Sequence, residues 1–64
     1  MSLGNKVKYY RKNRELTQAQ LSELINKDVS TISKIETNVA KPSLNTLKEI
    51  SKALNVELVD LLDD

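Results

Sequence analysis

The twenty residues from Thr17 to Glu36, TQAQLSELINKDVSTISKIE, leave this chain little choice of fold. Leu21, Leu24 and Ile25 recur at helical spacing and predict the apolar face of one short helix. Ile32 and Ile35 predict the same for a second. Between them stands Asn26, a residue that adopts left-handed backbone more readily than most. Two short helices joined by a tight turn follow. Helices this short are marginal alone, so other parts of the chain must cover their apolar faces.

The flanking sequence supplies that cover. Thr17 and Gln20 make a capping-box pattern, in which a hydroxyl and an amide each satisfy one orphan N–H at the helix start. Asp28 is the expected N-cap of the next helix, which runs to about Glu36. Upstream, Leu3, Val7 and Tyr10 follow an i, i+4, i+7 pattern and predict a first helix from Gly4 to Arg14, with Leu16 closing over its end. Downstream of a loop from Thr37 to Pro42, Ser43 is the expected N-cap of a fourth helix. Leu44, Leu47, Ile50 and Leu54 are its buried stripe, and Asn55 is its left-handed stop. Val56 leads into a short fifth helix over Leu58–Leu62. No alternating run predicts a strand, so the expected class is all-α with five helices. Residues 3–62 form the domain, and Asp63 and Asp64 make an acidic tail.

Composition narrows the chemistry. A domain of 64 residues buries only about 60% of its unfolded surface, so each Leu, Ile and Val has a core role as its plain reading. There is no cysteine and no histidine. Thiolate and common zinc sites, and histidine acid–base catalysis, are excluded. No cofactor and no small-molecule ligand is expected. No apolar run reaches the roughly 20 residues of a membrane span, and no long apolar segment follows Met1-Ser2-Leu3 as a signal peptide would require. A cytoplasmic, non-enzymatic protein is the expectation. The net charge of +1 hides a dipole. Lys6, Lys8, Arg11, Lys12 and Arg14 open the chain with no acid among them, while Glu57, Asp60, Asp63 and Asp64 close it. Phosphate contact needs such a local basic surface rather than a basic average.

A helix pair with small polar and basic residues on its free face can place one helix in the major groove of DNA. The early, outward residues of the second helix would then meet base edges: Val29, Ser30, Ser33 and Lys34. Ser30 and Ser33 are adaptable hydrogen bonders, and Lys34 can donate to guanine O6 and N7 or meet a phosphate. Val29 has two readings, since it is apolar and three before Ile32. It lies about 120° around the helix from Ile35, which favours contact with thymine methyls over the core. Thr31 either points back toward helix two or reaches a phosphate.

The segments VKYYRKNRELTQAQLSELI, STISKIE, KPSLNTLKEISKALNV and LVDLL, in this order and spacing, resemble the Cro/C1-type (XRE) helix-turn-helix family of lambdoid phage repressors and small bacterial regulators. The resemblance covers Leu3 to Leu62. It implies a lambda-repressor-like domain whose helices two and three form the helix-turn-helix. It also implies sequence-specific binding of double-stranded DNA and transcriptional regulation, with repression preferred. Gln18 matches the family position that fixes the protein to the DNA backbone. Asn38, Lys41 and Ser43 would flank the same strand, with Lys6 and Arg14 as weaker candidates. Arg11 and Glu36 match a family pair. Arg11 is either a phosphate binder or half of a structural salt bridge, and the second reading is preferred.

The departures from the family pattern are specific. Asn26, Asn38 and Asn55 stand where the family usually has glycine, which predicts positive φ at all three. Ser22 replaces a small residue and needs a carbonyl partner one turn back. Lys27 fills a turn position usually apolar, its stem expected to cover the gap. Glu57 replaces a small capping residue, so the fifth helix is expected to fray. Leu58, Leu61 and Leu62 predict one buried face of the fifth helix, and Val59, which replaces a polar residue, widens its apolar arc beside Leu58 and Leu62. Leu58, Val59 and Leu62 predict a homodimer interface, which pairs with a near-palindromic operator. The plain alternative for Val59 is a scattered surface apolar residue. A second functional class remains open: an interaction module, such as an antitoxin or developmental regulator, whose last helix docks a partner.

Overall fold

The computed structural model describes residues 1–62 and contains five helices: α1 Leu3–Asn13, α2 Gln18–Leu24, α3 Val29–Glu36, α4 Leu44–Leu54 and α5 Leu58–Leu62. There is no strand among the described residues. The acidic tail at 63–64 lies outside them.

Helix α1 begins one residue earlier than the apolar stripe predicts. Ser2 is its N-cap, and the Ser2 hydroxyl accepts from the Asn5 N–H at 3.1 Å. The Thr17–Gln20 capping box of α2 is complete, with both bonds formed. Ser43 caps α4 by accepting from the Thr46 N–H. Asp28 occupies the N-cap position of α3 with extended backbone, but its side chain makes no capping bond. The start of α5 holds by a different device than a small cap. The Asp60 carboxylate accepts from the Glu57 N–H at 3.0 Å.

Four helices end in the same way. A residue with positive φ follows each one: Glu15 (57°), Asn26 (56°), Asn38 (62°) and Asn55 (57°). In each case its N–H and the next residue's N–H return to carbonyls of the last turn. For α2 the Asn26 N–H meets Glu23 O and the Lys27 N–H meets Ser22 O; for α3 the Asn38 N–H meets Ile35 O and the Val39 N–H meets Lys34 O. This paired return satisfies carbonyls that the helix leaves open. The three asparagines are where the glycine substitutions predict them. Glu15, also left-handed, is an addition.

The core is one cluster: Val7, Leu21, Ile25, Ile32, Ile35, Leu47, Ile50, Leu54 and Leu61, with Leu3, Tyr10, Leu16, Ala53, Val56 and Leu58 packed around it. Leu24, Leu44 and Leu62, all expected in the core, lie outside it, Leu62 because only Leu61 of the short α5 turns fully inward. Leu24 is 60% exposed, because the buried arc of α2 runs through Leu21, Ile25 and Ser22, and Leu24 sits about 60° beyond Leu21 on the other side. Leu44 is 55% exposed at the first position of α4, on the edge of the arc set by Leu47, Ile50 and Leu54. Ser22 is buried and donates to Ala19 O at 2.7 Å, and Ser51 does the same to Lys48 O at 2.8 Å, so neither hydroxyl is left without a partner. Lys27 stays exposed.

The single glycine, Gly4, sets the distance between α1 and α3. A Cβ there would collide with Ile35 O, and would lie 2.7 Å from Glu36 O and 2.8 Å from Asn38 Oδ1. Helix α1 thus rests directly on the C-terminal backbone of α3, which no other residue type permits without a shift.

Candidate nucleic-acid interface

Helix α3 is built from residues of modest helix propensity, VSTISKIE, so packing rather than intrinsic preference holds it. Ile32, Ile35 and Glu36 are buried and face inward. Val29, Ser30 and Lys34 are exposed on the other side, with Val29 at 46%. Ser33 and Thr31 are half-buried and flank that face. By helical geometry Ser30 and Lys34 stand at its centre, while Val29 and Ser33 lie on the flank beside Glu36. Val29 is therefore on the surface and outside the core. Thr37 closes the helix, its hydroxyl donating to Ser33 O at 2.9 Å.

Arg11 and Glu36 form a buried, two-point ion pair. Arg11 Nε donates to Glu36 Oε2 at 2.6 Å and Nη2 donates to Oε1 at 3.0 Å. The side chains are 9% and 2% exposed. The third guanidinium nitrogen, Nη1, donates to Leu16 O at 2.7 Å, just ahead of the α2 capping box. Arg11 thus has all three guanidinium nitrogens engaged inward, on Glu36 and on Leu16 O. Glu36 takes one further bond that the sequence did not signal: Gln18 Nε2 donates to its Oε1 at 3.0 Å. Gln18 is half-buried at the first position of α2 and so stands next to the Val29–Ser33 flank of α3.

The loop after α3 is tied down. Val39 and Ala40 N–H both reach Lys34 O. Asn38 is bonded back to α1, accepting from the Gly4 N–H at Oδ1 (3.0 Å) and donating from Nδ2 to Ser2 Oγ (3.0 Å). Ser43 accepts from Thr46 N–H and donates its hydroxyl proton to Thr46 Oγ1. Lys41 is exposed, as are Lys8, Lys12 and Arg14; Lys6 is buried and is not on this surface. Val39, at 75%, is the most exposed large apolar side chain of the loop. Periodicity gave no sign of it, since a loop has none.

On α5, Val59 and Leu62 are exposed at 60% and 54%, and Leu61 is buried. Leu58 is half-buried and packs on the core, so it contributes to that outer face only at its edge. Among the described residues no group of three His, Cys, Asp or Glu could hold a metal ion, and no helix is long and apolar enough to cross a membrane.

A five-helix domain with this paired-helix unit defines a class, and sequence comparison places the chain in it. A helix-turn-helix family model matches residues 7–61. The chain belongs to the Cro/C1-type (XRE) helix-turn-helix family. It is 40% identical over 58 residues to the immunity repressor protein of Bacillus phage phi105, covering 91% of this chain and 40% of that protein. It is 33% identical over 63 residues to the HTH-type transcriptional regulator SinR of Bacillus subtilis, covering 97% of this chain and 57% of that one. The chain thus spans roughly half the length of these curated relatives or less. Two solved structures of SinR superpose closely. One is its complex with SinI (TM-score 0.92, 33% identity, 97% of this chain and 61% of that chain). The other is SinR in complex with DNA (TM-score 0.90, 34% identity, 95% and 98%).

Proposed function

We propose that this chain binds double-stranded DNA with α3 in the major groove and acts as a transcriptional regulator, as a repressor in the first instance. The observation that carries the reading is the outer face of α3. Val29, Ser30 and Lys34 stand exposed together on a short helix whose inner face is wholly buried. Similarity to a phage immunity repressor and to SinR, solved with DNA, supports it.

Val29, Ser30, Ser33 and Lys34 read base edges. Gln18, Thr31 and Lys41 meet phosphates and set the register. Asn38 and Ser43 flank the same DNA strand as further phosphate contacts, and both also hold the loop, Asn38 through Gly4 and Ser2 and Ser43 through Thr46. No cofactor enters this chemistry and no catalysis is assigned to the domain. Acting on DNA, the protein works in the cytoplasm.

Val59 and Leu62, with the edge of Leu58, form the contact of a symmetric homodimer, and two such domains suit a near-palindromic operator. SinR is also solved in complex with SinI, which supports a second reading: an interaction module whose last helix docks a protein partner.

Selection from a random-sequence duplex library tests the proposal and returns the operator and its half-site spacing. Enrichment of one sequence in two inverted copies is the expected result. A library that stays unenriched sinks specific reading by this chain.

A further inference from the structure

We propose that Glu36 is a positioning residue for DNA: its carboxylate fixes which way round the Gln18 amide lies, so that Gln18 offers a hydrogen and not an oxygen to the phosphate backbone. This rests on the major-groove reading above. The carboxylate of Glu36 is 2% exposed and only accepts hydrogen bonds. Arg11 holds both its oxygens, at 2.6 and 3.0 Å. The same Arg11 holds Leu16 O at 2.7 Å, so the carboxylate and the start of α2 are set by one guanidinium.

Gln18 Nε2 lies 3.0 Å from Glu36 Oε1. An amide has two faces of opposite polarity, and beside an ionised carboxylate only the NH2 side is tolerated. One amide hydrogen is used there. The second remains on the same nitrogen, and the carbonyl oxygen is held away from Glu36. A phosphate also only accepts. The remaining hydrogen is therefore the group through which Gln18 bonds the backbone, and a flipped amide would present an oxygen to an anion. Burial of Glu36 at the end of α3 thereby couples the base-reading helix to the anchor on α2.

Replacing Glu36 alone would strand a buried arginine and confuse lost stability with lost positioning. The test instead uses Arg11→Met/Glu36→Met, which removes both charges together. In the free chain, NMR is expected to show one Gln18 side-chain amide proton shifted and protected from exchange, and the double variant is expected to lose that signal. Two unshifted, freely exchanging protons in the unaltered chain would overturn the proposal without any DNA present.

The second arm measures binding to the duplex enriched by the unaltered chain. Gln18→Met and the double variant each bind about tenfold more weakly, the size of one charge-assisted hydrogen bond. Adding Gln18→Met to the double variant costs nothing more. Adding Gln18→Lys to it restores affinity, because an ammonium has only donors and needs no orienting. Additive losses, or failure of the lysine to restore binding, would show a displaced α2 instead and overturn the proposal. If no duplex is enriched, the phosphate role falls with the major-groove reading, while the amide signal still decides whether Glu36 holds Gln18.

Discussion

Asn38 accepts a hydrogen bond from the Gly4 N–H at 3.0 Å, so one residue both ends α3 and ties down the first turn of α1. Its backbone is left-handed at φ 62°, and its Nδ2 donates to the Ser2 cap. Glycine, usual in this family at this place, gives the backbone conformation but neither bond. Asn38→Gly is expected to lose about 1 kcal/mol, since two partly exposed hydrogen bonds are set against relief of mild backbone strain. Asn38→Ala loses the same bonds and keeps the strain, so it falls further, by about 2–3 kcal/mol. Denaturant melts of the three proteins check the order Asn, Gly, Ala. Equal stability of Asn38 and Gly would mean that the clasp contributes nothing.

Gly4 is the other half of that relationship. In an exposed helix interior, glycine to alanine gains about 1 kcal/mol. Here the added Cβ would meet three oxygens, two of them backbone. Gly4→Ala is expected to destabilise by about 1–3 kcal/mol, as overpacking does, because backbone cannot turn aside as a side chain can. A rise in melting temperature on this substitution would contradict the direct contact of α1 with α3.

Arg11→Ala leaves the Glu36 carboxylate buried without its partner and is expected to cost about 3–5 kcal/mol. Arg11→Met/Glu36→Met removes both charges and is expected to lie within about 1–2 kcal/mol of the parent. The contrast between the two thermal melts is the measurement. An unchanged melting temperature for Arg11→Ala would rule out the pair as a structural tie.

Much of this was legible in the sequence, for physical reasons that also explain the gaps. Helix number and order follow from apolar spacing, and the ends of α2, α3 and α4 follow from Asn26, Asn38 and Asn55, because few residues take positive φ cheaply. Spacing gives a face but not its width, so it puts Leu24 and Leu44 in the core although both are exposed. Ser22, small and polar, shifted the buried arc of α2 away from Leu24. Ser2 and Gly4 gave no periodic signal: Ser2 caps α1 through a single local bond to Asn5, and the role of Gly4 depends on the distant C-terminal backbone of α3. The Gln18–Glu36 bond joins two helices across eighteen positions, and no local spacing signals it.

Glu15 shows what sequence propensity misses and suggests a gain. It holds φ at 57°, the place filled by asparagine after the next three helices, and its side chain is exposed. Left-handed backbone costs an ordinary residue about 1–2 kcal/mol. Glycine removes that cost but adds entropy to the unfolded chain, worth about 0.4–1 kcal/mol. Glu15→Gly is expected to gain about 0.5–1 kcal/mol, and Glu15→Asn a similar amount, raising the melting temperature by about 2–8 °C in a domain of this size. A fall in melting temperature for both would mean that the carboxylate makes a contribution outweighing the strain.

Lys34 and Lys41 separate reading from anchoring. Lys34 is exposed at the centre of the outer face of α3, while Lys41 is exposed on the loop before α4. If Lys34 meets a guanine, Lys34→Ala loses about 1–3 kcal/mol on the preferred duplex and relaxes preference at one base pair. If Lys41 meets a phosphate, Lys41→Ala weakens every duplex alike and lowers the slope of log affinity against log salt by about 1. Titrations of both variants on the selected duplex and on a base-substituted one, over a range of salt, distinguish the roles. The physical basis is that a counterion leaves a phosphate whatever the sequence, whereas a base edge rewards only the matching donor. Identical behaviour of the two variants would show that α3 lies on the backbone and not in the groove.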